Sequence, residues 1–280
     1  MKNFKKLALM GLTAVMSLSL LAACGGGNSG SAETPSGNTE TPSVENTETP
    51  AASGEFTTVE AGKLHMATNA AFPPYEMTTD DGGFEGIDVE VAQAIADKLG
   101  LELVINDMDF STVVTSVQQG KCDMAMAGLT VNEERLQNVD FTSSYATGIQ
   151  VIIVKEGSEV TADTLGDYLI GTQEGTTGWQ YCSDEFGDDH VVAYTNGATA
   201  VQALISGSVD CVVIDNEPAK AFVEANPGLT ILDTEYVVEN YAIGVSKDNP
   251  ALREAIDAAL TELIEDGTVK GIVDKYITAE

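Results

Sequence analysis

From residue 62 to the C-terminus, short apolar runs alternate with amphipathic helical stretches, and this alternation restricts the chain to an α/β fold. Leu64–Thr68, residues 101–105, 124–127 and 149–154 read as strands, separated by helical stretches. The first helix has an apolar face of Ala92, Ile95, Ala96 and Leu99, is closed by Gly100, and has Asp88 as its expected cap. Thr130-Val-Asn-Glu133 has the form of a capping box, which predicts a helix starting at Thr130. A second series follows, with strands at 168–172, 190–194, 211–214 and 229–232 and helices from about 177, at 198–206 and at 217–225. Strand 241–245 and helices 251–266 and 268–277 end the chain. Repeated strand–helix–strand units imply mainly parallel sheets covered on both faces. Two such series predict two lobes: 58–146 with 241–280 in the first, and 147–240 in the second.

The N-terminus predicts an address outside the cytoplasm. Lys2, Lys5 and Lys6 precede the apolar stretch Leu7–Leu21, which is shorter than the ~20 residues of a membrane span and has the layout of a secretory signal. Leu21-Ala22-Ala23-Cys24 resembles the bacterial lipoprotein box, which implies a signal over 1–23 and a lipid anchor on Cys24. The alternative is an ordinary cleaved signal with a chance cysteine. Residues 24–57 read as a disordered tether, with Gly25-Gly26-Gly27, Glu-Thr-Pro repeated at Glu33, Glu40 and Glu48, and few large apolar residues. Its root-mean-square reach is roughly 30 Å. No second apolar stretch of spanning length follows Cys24.

The formal charge of −31 becomes −34 without the three signal lysines. Such an acidic chain lacks the basic surface that nucleic acid requires. Cys122, Cys182 and Cys211 cannot all pair internally, and the apolar runs beside Cys122 and Cys211 suit core packing. A Cys182–Cys211 disulfide stays open at this point. Asp188-Asp189-His190 offers metal-ligand chemistry, against the plainer reading of a solvated loop, and no metal or cofactor is expected.

Ligands of open α/β sheets bind beyond the carboxyl ends of strands. Arg135, with Gly128 and Thr130, falls just past the strand at 124–127, where a guanidinium could grip a carboxylate with two parallel bonds. The alternative is a surface arginine paired with Asp140 or a neighbouring glutamate. Glu174-Gly175-Thr176-Thr177-Gly178 places free amides and hydroxyls at a helix N-terminus, favourable for an anion. Asp215 ends the strand at 211–214, as an ammonium acceptor, as a helix N-cap, or as both. Phe72, Tyr75 and Phe110 are the aromatics nearest these edges, as ligand walls or as core.

Phe72-Pro-Pro-Tyr75, Gly86-Ile-Asp-Val-Glu90, Asp109-Phe110, Gly120-Lys-Cys-Asp-Met124, Ala127-Gly-Leu-Thr130 with Glu134-Arg135, and Val139-Asp-Phe141 occur in order. The set resembles the family 3 extracellular solute-binding proteins, the polar amino-acid receptors of ABC importers, across roughly residues 58–280. The resemblance implies a two-lobed, type II periplasmic-binding-protein-like clamp. Its hinge crossovers would lie near 145–149 and 239–242. It also implies a monomeric, non-catalytic receptor that delivers an L-amino acid to a permease and its ATPase. Arg135 would hold the α-carboxylate, aided by Thr177 and Thr176. Asp215, Thr130, Gly128 and the adjoining Ala127 would face the ammonium. Phe72 and Phe110 would sandwich the side chain. Asn69 stands where relatives for cationic ligands tend to carry an acid, and Gln173 where glutamine-binding relatives tend to carry a lysine. These neutral amides point to glutamine first and a cationic amino acid second. Two alternatives share the scaffold: a prephenate/arogenate dehydratase-like enzyme using Glu174 as acid, and a sensory module.

Overall fold

A computed structural model describes residues 56–234 and 236–277. The expected signal, Cys24 and nearly all of the tether lie outside the described residues. In chain order the first lobe holds β1 (Lys63–Thr68), β2 (Ala71–Phe72), β3 (Glu76–Thr78), β4 (Phe84–Glu85), α1 (Ile87–Leu99), β5 (Glu102–Asp107), α2 (Phe110–Gln118), β6 (Met124–Ala125) and α3 (Arg135–Asn138). The long strand β7 (Val139–Lys155) leaves it for the second lobe. That lobe contains β8 (Ile170–Gln173), α4 (Thr177–Phe186), β9 (Val191–Tyr194), α5 (Gly197–Ser206), β10 (Cys211–Asp215), α6 (Asn216–Ala225) and β11 (Leu229–Ile231). β12 (Val237–Ser246) returns, and α7 (Pro250–Glu265) and α8 (Thr268–Tyr276) pack against α1.

Nine of the strands form one sheet in the order β5-β1-β6-β12-β7-β10-β8-β9, with β11 beside β7. Pairing is parallel among β5, β1 and β6 and among β10, β8 and β9, but antiparallel wherever β7 or β12 takes part. The parallel pairing expected in each lobe holds among these strands, and the two crossing strands add antiparallel pairing at the centre. The two strands that cross between the lobes run in opposite directions and pair with each other. Their register shifts on either side of Ala242.

α1 buries Ile87, Val91, Ala92, Ile95 and Ala96 on one face, and Gly100 closes it in the left-handed conformation (φ 69°). Asp88 does not cap it. Gly86 holds the cap position at φ 131°, where a Cβ would lie 2.2 Å from the Tyr75 carbonyl oxygen. Asp88 instead turns inward, and its Oδ2 accepts from the Gly128 amide and the Tyr145 hydroxyl, each at 2.8 Å.

The predicted helix at Thr130 is also absent. Thr130 bridges Tyr241, the Val131 amide donates to the Asn240 carbonyl, and the Thr130 hydroxyl donates to Glu239. These tertiary bonds hold the chain at Thr130 in a β-bridge rather than a helical turn. α3 starts only at Arg135, whose amide donates to Asn132 Oδ1 at 2.8 Å. The folded body begins earlier than expected: Phe56 packs against the main core, and the Thr57 carbonyl accepts from Asn249. The three-stranded sheet β2-β3-β4 was not anticipated, because strands of two or three residues carry too little periodicity to read. Cys122, Cys182 and Cys211 are free thiols and buried. Asp188–His190 forms a single 3₁₀ turn. Among the described residues no cluster of three or more His, Cys, Asp or Glu could hold a metal.

Candidate functional site

One cavity between the lobes is lined by Asn69, Phe72, Phe110, Ala127, Gly128, Thr130, Arg135, Gln173, Thr176, Thr177 and Asp215. All eleven residues singled out from the sequence therefore meet around the same space. The ends of β1, β6, β8 and β10 bring them there, as the rule for open α/β sheets requires. Tyr75 lies behind this wall, stacked on Phe72 with ring centroids 5.8 Å apart. Glu174, the acid that the dehydratase alternative would use, is exposed and outside the lining.

Arg135 makes the donor end. It is 8 % exposed, and its Nη1 donates to the Thr130 carbonyl at 2.7 Å while Nη2 donates to the Gly175 carbonyl at 3.2 Å. Its guanidinium carbon stands 5.4 Å from the Phe110 ring centroid, so the first-lobe aromatic also positions the cation. Burial pushes its pKa down, while the charges of Glu239 and Asp215 push it back up. It does not pair with Asp140, which faces Lys247 instead at 3.7 Å. A guanidinium carries five N–H donors. The two backbone bonds fix its plane and leave further donors for an oxyanion. The amide end of α4 faces the same space. The Thr176 hydroxyl oxygen accepts from the Trp179 amide at 3.2 Å, and Thr177 is the first helical residue.

Asp215 makes the acceptor end. It occupies the position before α6, but its side chain makes no capping bond. Its Oδ1 accepts from the Tyr241 hydroxyl instead. Burial pushes its pKa up to about 7, the Glu239 carboxylate adds to this, and the bonds from Tyr241 and Gln150 oppose it. A carboxylate with this cost of ionisation gains most from an arriving cation. Gly148 permits the arrangement, since a Cβ there would lie 2.0 Å from the Tyr241 hydroxyl oxygen and 2.8 Å from Asp215 Oδ1. Gly128 serves the opposite wall: φ is +53°, and a Cβ would lie 2.7 Å from the Phe72 ring.

At the third side, neutral amides meet across the cleft. Gln173 Nε2 donates to Asn69 Oδ1 at 3.0 Å and to the Thr195 carbonyl at 3.3 Å, and Asn69 Nδ2 donates to the Met108 carbonyl at 2.8 Å. Gln180 of α4 donates to Glu134 at 3.1 Å, adding a contact between the lobes at the rim.

Sequence reasoning passed over a set of buried polar residues outside the cavity lining: Glu239, Gln150 and Tyr241, joined by the half-buried Tyr181, and Asp88, Tyr145 and Glu76. The clue was present in β12. Glu239 and Tyr241 are two residues apart and so share a strand face. Extending the predicted strand backward from residue 241 would have turned Glu239 inward. The burial is the reverse of what hydropathy suggests, with Glu239 3 % exposed and its neighbour Val238 60 % exposed.

The family model of bacterial extracellular solute-binding proteins, family 3, matches residues 64–279. ABC transporter arginine-binding protein 1 of Escherichia coli (strain K12) is 28 % identical over 230 residues, covering 80 % of this chain and 95 % of that protein. Two solved structures are similar. An ancestral arginine-binding protein bound to glutamine has 37 % identity and a TM-score of 0.75, covering 79 % of this chain and 100 % of its own. An ancestral arginine-binding protein bound to arginine has 38 % identity and a TM-score of 0.72, covering 77 % and 98 %.

Proposed function

The chain belongs to the bacterial extracellular solute-binding proteins, family 3, and from that premise we propose how its cavity is used. It is an extracytoplasmic substrate-binding protein of an ABC importer for a polar amino acid, and not an enzyme. The observation that carries the detailed reading is the polarity of the cavity. A buried guanidinium from one lobe and a buried carboxylate from the other line the same small space. A zwitterion matches both ends, and each charge then enters a buried site already paired. Arg135 and the Thr177 amide take the α-carboxylate. Asp215, Thr130 and the Gly128 carbonyl take the ammonium. Phe72 and Phe110 flank the side chain.

The side-chain end favours glutamine. Asn69 and Gln173 offer an amide acceptor and an amide donor, the complement of a carboxamide. A guanidinium there would be buried without a carboxylate beside it, which is costly. Arginine is the second reading, supported by the arginine-binding relatives and by aromatic walls on which a guanidinium can stack. Cys24 carries the lipid anchor in this reading, and the protein works as a monomer at the outer face of the membrane, delivering its ligand to a permease.

Thermal unfolding against the L-amino acids, with D-enantiomers as controls, tests this. A ligand at 100 times its dissociation constant adds ~2.7 kcal/mol. That corresponds to roughly 5–11 °C for a domain of this size. One L-amino acid should give such a shift, and Arg135→Ala should abolish it. A flat panel on protein freed of co-purified ligand rejects the reading. Competition in which arginine outbinds glutamine tenfold rejects the glutamine preference.

A further inference from the structure

Glu239 is not part of the cavity wall, yet its carboxylate is where the lobes are tied together. Oε2 accepts from the Thr130 hydroxyl of the first lobe at 3.1 Å and from Gln150 Nε2 on β7 at 3.0 Å. Oε1 accepts from the Tyr181 hydroxyl on α4 of the second lobe at 3.0 Å. The residue sits on β12, one of the two strands that cross between the lobes, and its buried neighbours Arg135 and Asp215 carry the charges nearest the cavity.

A carboxylate accepts and does not donate, so each of its three partners must give it a proton. This fixes the direction of the bonds above it. Thr130 has one hydroxyl proton, and Glu239 takes it, so Thr130 Oγ1 can present only lone pairs to the cavity. The Thr130 carbonyl is engaged by Arg135, so both polar atoms of this residue beyond its amide are committed. We propose that Glu239 is a positioning residue with two linked effects. It latches the closed lobes through Thr130 on one side and Tyr181 on the other, and it holds the Thr130 hydroxyl as an acceptor for the ligand's ammonium. The inference rests on the reading of the cavity as an amino-acid site. Opening the lobes separates Thr130 from Tyr181, so the carboxylate cannot keep both bonds. Release of ligand must therefore break part of this set.

Trp179, the sole tryptophan of the chain, stands on α4 at the rim of the cleft and gives a fluorescence signal for closure. Stopped-flow mixing of the full chain with L-glutamine, and separately with L-arginine, measures association and release. Glu239→Gln replaces one acceptor with an NH₂ that cannot accept from either side. It should raise the release rate at least tenfold and change association less than threefold. Tyr181→Phe removes one bond only and should raise release by a smaller factor. The double variant should fall short of the product of the two factors, because the substitutions share a bond. If Glu239→Gln fails to fold, Tyr181→Phe alone carries the test. Wild-type release rates in the folded variants overturn the proposal, even if their unfolding temperatures drop, since that is the mark of a purely structural role. A wild-type protein that binds no L-amino acid overturns both this proposal and the reading beneath it. Wild-type binding with unchanged release from the variants overturns this proposal alone.

Discussion

Asp215 makes amino-acid binding depend on pH in a defined window. Its pKa in the free protein is about 7, chiefly because burial penalises the charge. A bound ammonium stabilises the carboxylate and draws its pKa down. Binding therefore has to expel a proton wherever free Asp215 holds one. Above about pH 7 the carboxylate is already charged and affinity is flat. Below it, affinity falls by up to tenfold per pH unit, ~1.4 kcal/mol, so roughly 100-fold by pH 5. Free-protein stability has the opposite sign. Asp215 ionises at about 7 in the folded state against an ordinary value of 3.8. Its favourable contribution is thus fully present below about pH 3.8 and is lost as pH rises through 7. Isothermal titration calorimetry between about pH 5 and 8, in buffers of different ionisation enthalpy, reads both affinity and proton release. Close to one proton should be released at pH 5, about half at 7 and almost none at 8. Asp88, pushed up to about 6 by burial, titrates in the same range behind the Gly128 wall. Asp215→Asn separates the two, because it removes the Asp215 share of proton release and leaves that of Asp88. A dissociation constant that is flat from pH 5 to 8, with no proton released, refutes the argument.

Three further outcomes are expected. Gly148→Ala puts a methyl within 2.0 Å of the Tyr241 hydroxyl oxygen, so it should displace Tyr241 from Asp215 and weaken ligand binding at least tenfold by calorimetry. Asn69→Asp adds an acid at the side-chain end and should move the arginine-to-glutamine affinity ratio toward arginine by about tenfold or more, measured by competition. Burial pushes the Cys182 and Cys211 thiols up to about 12, so at pH 8 both should resist a thiol reagent in native protein and react once it is unfolded. Rapid native labelling of either would contradict their placement in the second-lobe core.

Cavity positions such as Phe110, Arg135, Gln173, Thr177 and Asp215 were legible because they close a strand or open a helix, and strand ends in an open α/β sheet converge by topology. Arg135, Thr177 and Asp215 each follow an apolar run whose direction is fixed by the element after it. The α/β class and the two lobes followed from the same alternation. Local signals misled where tertiary bonds outweighed them. Thr130 has a capping-box sequence, but β12 bonds the backbones of Leu129 and Val131 on either side of it and Glu239 accepts from its hydroxyl. Asp88 has a cap's composition, but a buried amide and a phenol draw it into the core. In each case bonds to residues at least 40 positions away replaced those offered within one turn. The set of buried polar residues outside the cavity lining belongs wholly to the tertiary structure. Glu239 and Thr130 are 109 residues apart, and only the pairing of β7 with β12 places a carboxylate between the lobes. Hydropathy ranks single residues by their preference for water. It carries no record of which three donors will surround a buried acid, and those donors are what make its burial affordable.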